Sequence, residues 1–331
     1  MELGRSMKPL ILCGEYGSTN FVHSSRTEAP VTFLFRFVHG KLPSPDELAF
    51  YVADLTEQHG PGGHWSVYTY LWHPKDLKIL SLVEACRSFE SVELWFDPAP
   101  NDQMQLVWLL DLLSSHPEVV TKLKLRLVDF ELLLAEPEQL AKMKVRAVDV
   151  TERELETACM AWKAYRSATP EACFGLLSRD LSALPLLRPA MIDLLEELPS
   201  GTTGLGATEM RFLELIARGY ERISSQSHLR SLSQRRIFNE WELGLLLCAL
   251  AHGPTPAIAG LDDELRSLDK ENYRARDEAY RRSRLSLTEF GKALVAHKDD
   301  FSRHNPIDRW WGGTRLTNDN LWRWNPALIA P

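Results

Sequence analysis

Residues 91–114, SVELWFDPAPNDQMQLVWLLDLLS, constrain the chain more than any other stretch, because the hydrophobic period changes inside it. Val92, Leu94 and Phe96 alternate with Glu93 and Trp95, the two-residue period of a pleated strand. Asp97-Pro98-Ala99-Pro100 ends that strand, since neither proline has an N–H to give to a ladder. From Asn101 the period becomes helical, with Met104, Val107, Trp108 and Leu110 on one side. A strand feeding directly into a helix is a building unit of layered α/β domains, in which ligands bind beyond the carboxyl ends of the strands. Asp97, Asp102 and Gln103 fall there, beside a helix N-terminus, and are the candidate catalytic residues.

The same grammar extends backwards and forwards. Residues 9–13 predict a first strand running into Gly14-Glu15-Tyr16-Gly17-Ser18. A glycine-rich turn after a strand can cradle phosphate on its N–H groups, so Gly14, Glu15 and Ser18 are candidate ligand-binding residues. The spacing is neither G-x-G-x-x-G nor a Walker loop, and a plain tight turn fits it as well. Residues 31–38 predict a second strand with Val31, Phe33, Phe35 and Phe37 on one face. Ser44-Pro45-Asp46-Glu47 opens a helix with a capping box. A third strand is expected over 65–72 and a helix over 74–86. Residues 122–130 alternate Leu123, Leu125 and Leu127 with Lys122, Lys124 and Arg126, which suits a sheet edge guarded by charge. A helix over 132–143 and a strand over 145–150 complete an α/β half with a mostly parallel sheet and flanking helices. His59, His64 and His73 match no metal-ligand spacing.

After residue 150 strand signals nearly stop. Thr151-Glu152-Arg153-Glu154 is a capping box for a helix carrying Leu155, Ala158, Cys159 and Trp162, and further helices are expected over 169–177 and 186–198. Residues 201–206 read as a linker, Thr208 as a helix cap and Gly219 as a helix stop. The apolar helix over 238–251, the ribbon Leu285-Ser286-Leu287 and the helix that Thr288 caps together resemble a winged helix. Arg235, Arg236, Arg281, Arg282 and Arg284 are the candidate nucleic-acid contacts, although acids nearby would pair with such a face. Trp310, Trp311, Trp322 and Trp324 alternate with Arg309, Arg315 and Arg323 in a C-terminal hairpin, which can stack bases or lock the tail through cation–π contacts.

The expected organisation is an α/β domain over 7–150, a helical connector over 151–200, and a mainly helical, winged-helix-like domain with a Trp-rich hairpin over 207–331. Residues 1–6 read as a leader before Met7. A net charge of -7 provides no global field for nucleic acid, so contact would need a local patch. Five scattered cysteines, none in a C-x-x-C pair, predict reduced thiols and a cytoplasmic protein. No apolar run approaches the roughly 20 residues of a membrane span.

Several segments together resemble an uncharacterised bacterial family known as domain of unknown function 1835. The family's strand ends L-W-F-E-H-D and is followed by D-Q-L-Q-L; here the residues are Leu94-Trp95-Phe96-Asp97-Pro98-Ala99, then Asp102-Gln103-Met104-Gln105-Leu106. Ala161-Trp162, Leu184-Pro185, Thr208-Glu209, Leu287-Thr288, Asp308-Arg309-Trp310 and Trp322-Arg323-Trp324 continue the similarity. The resemblance implies a fold and a cytoplasmic bacterial setting. It implies no activity, because the family's acid-histidine-acid trio stands here as Asp97, Pro98 and Ala99.

Three functions remain open from these residues. The leading one is a binding or regulatory protein with a small-ligand α/β domain and a nucleic-acid-contacting winged-helix-like domain. The second is an enzyme, a hydrolase or transferase on a phosphorylated or nucleotide-like molecule, with Glu15, Asp97 and Asp102 as its carboxylates, two of them serving as an acid/base pair or as oxygen ligands for Mg²⁺, and Gln103 as a polar positioner. The third is a protein-interaction scaffold docking through its tryptophans.

Overall fold

The structure is a computed structural model, and it describes residues 8–14, 20–21, 23–24, 26–27, 29–33, 35–60, 63–68, 79–132, 135–223, 237–261, 278 and 280–331. The chain divides into two compact units. The first comprises residues 1–37, 42–166 and 176–190; the second comprises 38–41, 167–175 and 191–331.

The first unit is built on a five-stranded sheet. Strands β1 (Leu10–Cys13), β2 (Ala29–Thr32), β3 (Val92–Phe96), β4 (Leu123–Leu127) and β5 (Ala147–Asp149) stand in the order β2-β1-β3-β4-β5. Every pairing is parallel except β4 with β5. Helices α1 (Pro45–Val52), α2 (Leu82–Arg87), α3 (Pro100–Leu113), α4 (Pro117–Val120), α5 (Pro137–Lys142) and α6 (Glu152–Tyr165) flank it. All five residues of β3 are buried, as a central strand covered on both faces requires. On one face Trp95 packs with Ile11, Cys13, Phe21 and Leu132. Glu93 is carried into that interior by its register, and it is satisfied there by Trp95 Nε1 (2.7 Å) and an ion pair with Arg126. Helix α3 is buried nearly throughout and packs against α6. The Trp108 ring is the centre of an aromatic cluster with Phe33, Phe35 and Phe37, at centroid distances of 5.3–5.8 Å.

Several expectations are corrected in this unit. The second strand stops at Thr32; Phe33 still donates its N–H to the Cys13 carbonyl (3.3 Å), but amide side chains of α3 take the Phe33 and Phe35 carbonyls and the Phe37 N–H. The segment expected as a third strand begins as a 3-10 turn, Trp65–Tyr68, and the rest of it lies outside the described residues. Buried His64 explains the turn: Nδ1 bonds Ser66, Nε2 bonds the Ala53 carbonyl, and Trp65 Nε1 donates to Leu80 O. The lysine-rich strand β4 is interior rather than an edge, because β5 covers it and Lys124 pairs with Asp149.

The second unit is mainly helical. Helices α7 (Glu171–Leu176) and α8 (Leu187–Glu196) run into it, followed by α9 (Ala207–Ala217), α10 (Glu240–His252) and α11 (Glu289–Val295). The two-residue strands β6 (Ile258–Ala259) and β7 (Ser286–Leu287) pair antiparallel, and an isolated bridge joins Arg222 to Arg284. Thr288 caps α11 by accepting the Gly291 N–H (3.0 Å). Any side chain at Gly291 would strike the Ala257 carbonyl, so glycine sets how closely helix and ribbon approach. The tail forms the hairpin β8 (Asp308–Trp311) and β9 (Thr314–Thr317), then β10 (Arg323–Trp324) with β11 (Leu328–Ile329). Its arginines hold it by ion pairs: Arg323 meets Asp300 (2.9 Å) and the Ser200 carbonyl (2.8 Å). Residues 201–206 form no linker; they are an internal turn with Thr203 and Leu205 buried. No helix among the described residues is long and apolar enough to cross a membrane.

Candidate functional site

The sheet order places a topological reversal in the first unit. From β1 the chain moves outward to β2 and later crosses to β3 on the other side of β1. The carboxyl ends of β1 and β3 lie side by side at this reversal, where the Gly14 N–H donates to the Trp95 carbonyl (3.4 Å), and such a reversal is where open α/β sheets hold ligands. Gly14 follows β1 there, and Asp97 follows β3. Asp102 belongs to the first turn of α3, which starts at Pro100 without a side-chain cap. Its negative charge there complements the helix dipole.

The structure brings Gly14, Asp97, Asp102 and Gln103 together at this edge, all described and the three polar ones 5% exposed or less. Glu15 and Ser18 lie outside the described residues, as do Arg235 and Arg236. A Cβ on Gly14 would run into the Asp102 carboxylate. The glycine is therefore set by close approach of an acid, and the Asp102 carboxyl group fills the space against Gly14. Asp97 is held by the main chain: Oδ1 accepts the Ala99 N–H (2.8 Å) and Oδ2 accepts the Leu132 N–H (3.1 Å). It thereby ties the loop after β3 to the loop after β4. Gln103 Nε2 donates to the Asp97 carbonyl (2.7 Å).

Cys13, the last residue of β1, was not singled out by its sequence context. Its thiol donates to Val31 O (3.3 Å), and burial pushes it up to about 12, with Asp102 and Asp97 adding to the rise. It is a protonated, inert thiol at neutral pH and no nucleophile. Asn101 and Gln105 were also unmarked. Asn101 Oδ1 accepts the Phe37 N–H (2.9 Å), and Gln105 Nε2 donates to the carbonyls of Phe33 (2.9 Å) and Phe35 (2.8 Å). Their spacing of four residues, one helical turn, is the signal that would have found them.

Among the described residues no group of three or more His, Cys, Asp or Glu side chains is gathered as a metal site. His59 and His64 bond to neighbouring backbone and hydroxyl groups, and His73 lies outside the described residues. In the second unit Arg281, Arg282 and Arg284 are exposed, and Arg282 pairs with Glu278 across 3.2 Å. A scan against protein-family models finds no match to this chain, and a search of curated proteins finds none either. Its function rests on the chemistry of its own residues.

Proposed function

We propose that this is a binding or regulatory protein whose α/β unit takes a small ligand at the carboxyl edge of β1 and β3. The observation that carries this is the meeting of Gly14 with the buried Asp102 carboxylate at the reversal of strand order. An edge lined by carboxylates favours a ligand that offers hydrogen-bond donors, a polyol or an amine, over one that offers phosphate. Mg²⁺ would have to keep much of its water shell there, with Asp102 as one oxygen ligand. Binding is favoured over catalysis because both Asp97 oxygens accept main-chain N–H groups, which fixes the side chain in place.

The test is a melting-temperature screen of polyols, amines and their phosphorylated counterparts, with and without Mg²⁺. Unphosphorylated donors should raise the melting temperature of the native chain and not that of Asp102→Asn. A response to phosphorylated compounds alone, or one that survives Asp102→Asn, would sink the proposal.

A second reading, nucleic-acid contact through a winged-helix-like part, is favoured by one observation. An isolated bridge sets Arg222 beside Arg284, next to the paired strands β6 and β7, which lie in sequence between helices α10 and α11. Helix α10 begins with Glu240, Trp241 and Glu242, so contact would come from the arginine ridge rather than from a reading helix. Retention on heparin that falls steeply with salt, and falls further in Arg282→Ala/Arg284→Ala, is the expected sign.

A further inference from the structure

The second unit encloses a cavity of about 410 Å³, a volume suited to a small organic molecule. Its walls are apolar and aromatic, chiefly Phe238, Leu245, Phe301, Trp310 and Trp311. Three carboxylates and one guanidinium also line it, Glu197, Glu209, Asp308 and Arg309, with Asp308 already paired to Arg315 (2.9 Å). Their partners are unequal. Glu209 accepts Arg309 Nη1 (2.8 Å) and the Gly206 N–H (2.9 Å), so its charge is met. Glu197, about nine-tenths buried, accepts the Thr208 hydroxyl (2.6 Å) and N–H (3.2 Å), both neutral donors. Burial and the neighbouring Glu209 push its carboxyl up to about 7, against the opposing pull of Thr208 and Arg309. Arg309 Nη2 is buried and has no hydrogen-bond partner.

The cavity thus holds a carboxyl, Glu197, whose hydrogen bonds come from neutral donors, and a guanidinium nitrogen, Arg309 Nη2, that has no acceptor. A molecule that carries an ammonium and a carboxylate on one carbon supplies a partner for each, and an apolar body would fill the aromatic walls. We infer that this cavity binds a free α-amino acid with a large apolar side chain, its ammonium on Glu197 and its carboxylate on Arg309. The site is separate from the edge of the α/β sheet and stands whether or not that edge binds a ligand.

Isothermal titration of the full chain with L-tryptophan and L-phenylalanine tests this, with phenethylamine (no carboxylate), 3-phenylpropionate (no ammonium) and glycine as controls. One or both aromatic amino acids should bind saturably, and each control should bind at least about tenfold more weakly. Glu197→Gln preserves the shape and the Thr208 contacts, so it should fold and lose about tenfold or more in affinity. Leu245→Trp, which fills the cavity from α10, should abolish binding without touching either charge. An ammonium on Glu197 would also expel its proton. Glu209 from α9, Arg309 and Asp308 from β8, His252 and Cys248 from α10 and His39 are the other ionisable groups lining the cavity among the described residues. Binding heats at pH 7 should therefore depend on the ionisation enthalpy of the buffer in the native chain and not in Glu197→Gln. Failure of both amino acids to bind the folded chain would overturn the inference. So would binding of equal strength by phenethylamine, by 3-phenylpropionate or by Glu197→Gln.

Discussion

Gly14 and Asp102 compete for the same few ångströms, and that competition gives a direct prediction. A methyl group at position 14 must displace a carboxylate that is only 4% exposed and belongs to a buried helix. Overpacking of this kind costs about 1–3 kcal/mol. Gly14→Ala should lower stability by that amount in urea unfolding, while Gly14→Ala/Asp102→Ala should recover part of the loss because the obstruction is gone. Additive losses in the double variant would show that the two residues do not meet. Glu197 makes a prediction of opposite character. Its carboxyl titrates near 4.5 when unfolded and at about 7 in the fold. Between those values the folded state holds the extra proton, so stability is full below pH 4.5 and is lost as pH rises towards 7. The drop is on the order of 3 kcal/mol. Glu197→Gln should flatten that slope in urea midpoints taken from pH 4.5 to 7.5. Asp180 and Asp308 are shifted below the ordinary range by Ser182 and by Arg315, and their contributions fade only at lower pH, outside this window.

Among the elements, the ones legible in the sequence are those whose causes are local. Strand β3, the turn at Pro98 and Pro100, and the box of Ser44 with Glu47 are all set by neighbours within a few residues, and the structure carries each of them. The reversal at β1 and β3 was legible only as two loops, because strand order depends on partners some 80 residues apart. Residues 33–37 alternate like a strand, yet Asn101 and Gln105 offer their backbone an alternative ladder from one face of α3. No local period reveals that. Thr208 misled in the same way: its hydroxyl turns to Glu197 and leaves the cap of α9 to Gly206 and Glu209. The cavity residues were invisible together because Glu197, Glu209 and Arg309 come from three distant segments. Gln105 is the element-scale test. Gln105→Met keeps the volume but leaves the buried carbonyls of Phe33 and Phe35 with a donor fewer, at about 1–3 kcal/mol for each unmet group. The loss should exceed that of Leu106→Met in the same helix, where no polar partner changes. Equal losses would mean that the aromatic cluster alone holds residues 33–37.

For the whole molecule, the division of the chain into units fixes which fragments can fold. The first unit continues past its last strand: α6 packs along α3 and brings Trp162 within 4.9 Å of Phe37, while the Tyr165 hydroxyl donates to the Phe37 carbonyl (3.0 Å). Residues 176–190 belong to it as well, with Leu181, Leu184 and Leu187 buried. A fragment ending at residue 150 keeps all five strands but strips α3 of its covering helix, exposing part of a helix that is buried along nearly its whole length. Losing a buried Trp and a buried Tyr removes several kcal/mol of apolar burial, on the scale of about 2–3 kcal/mol for each large side chain. That is a large fraction of the roughly 5–15 kcal/mol by which a domain is stable. Residues 7–150 expressed alone should therefore lack a cooperative thermal transition and bind a hydrophobic dye, whereas residues 7–190 should melt cooperatively. Cooperative melting of both fragments, with equal midpoints, would show that the sheet and its first helices suffice and that α6 is an addition to a core already complete.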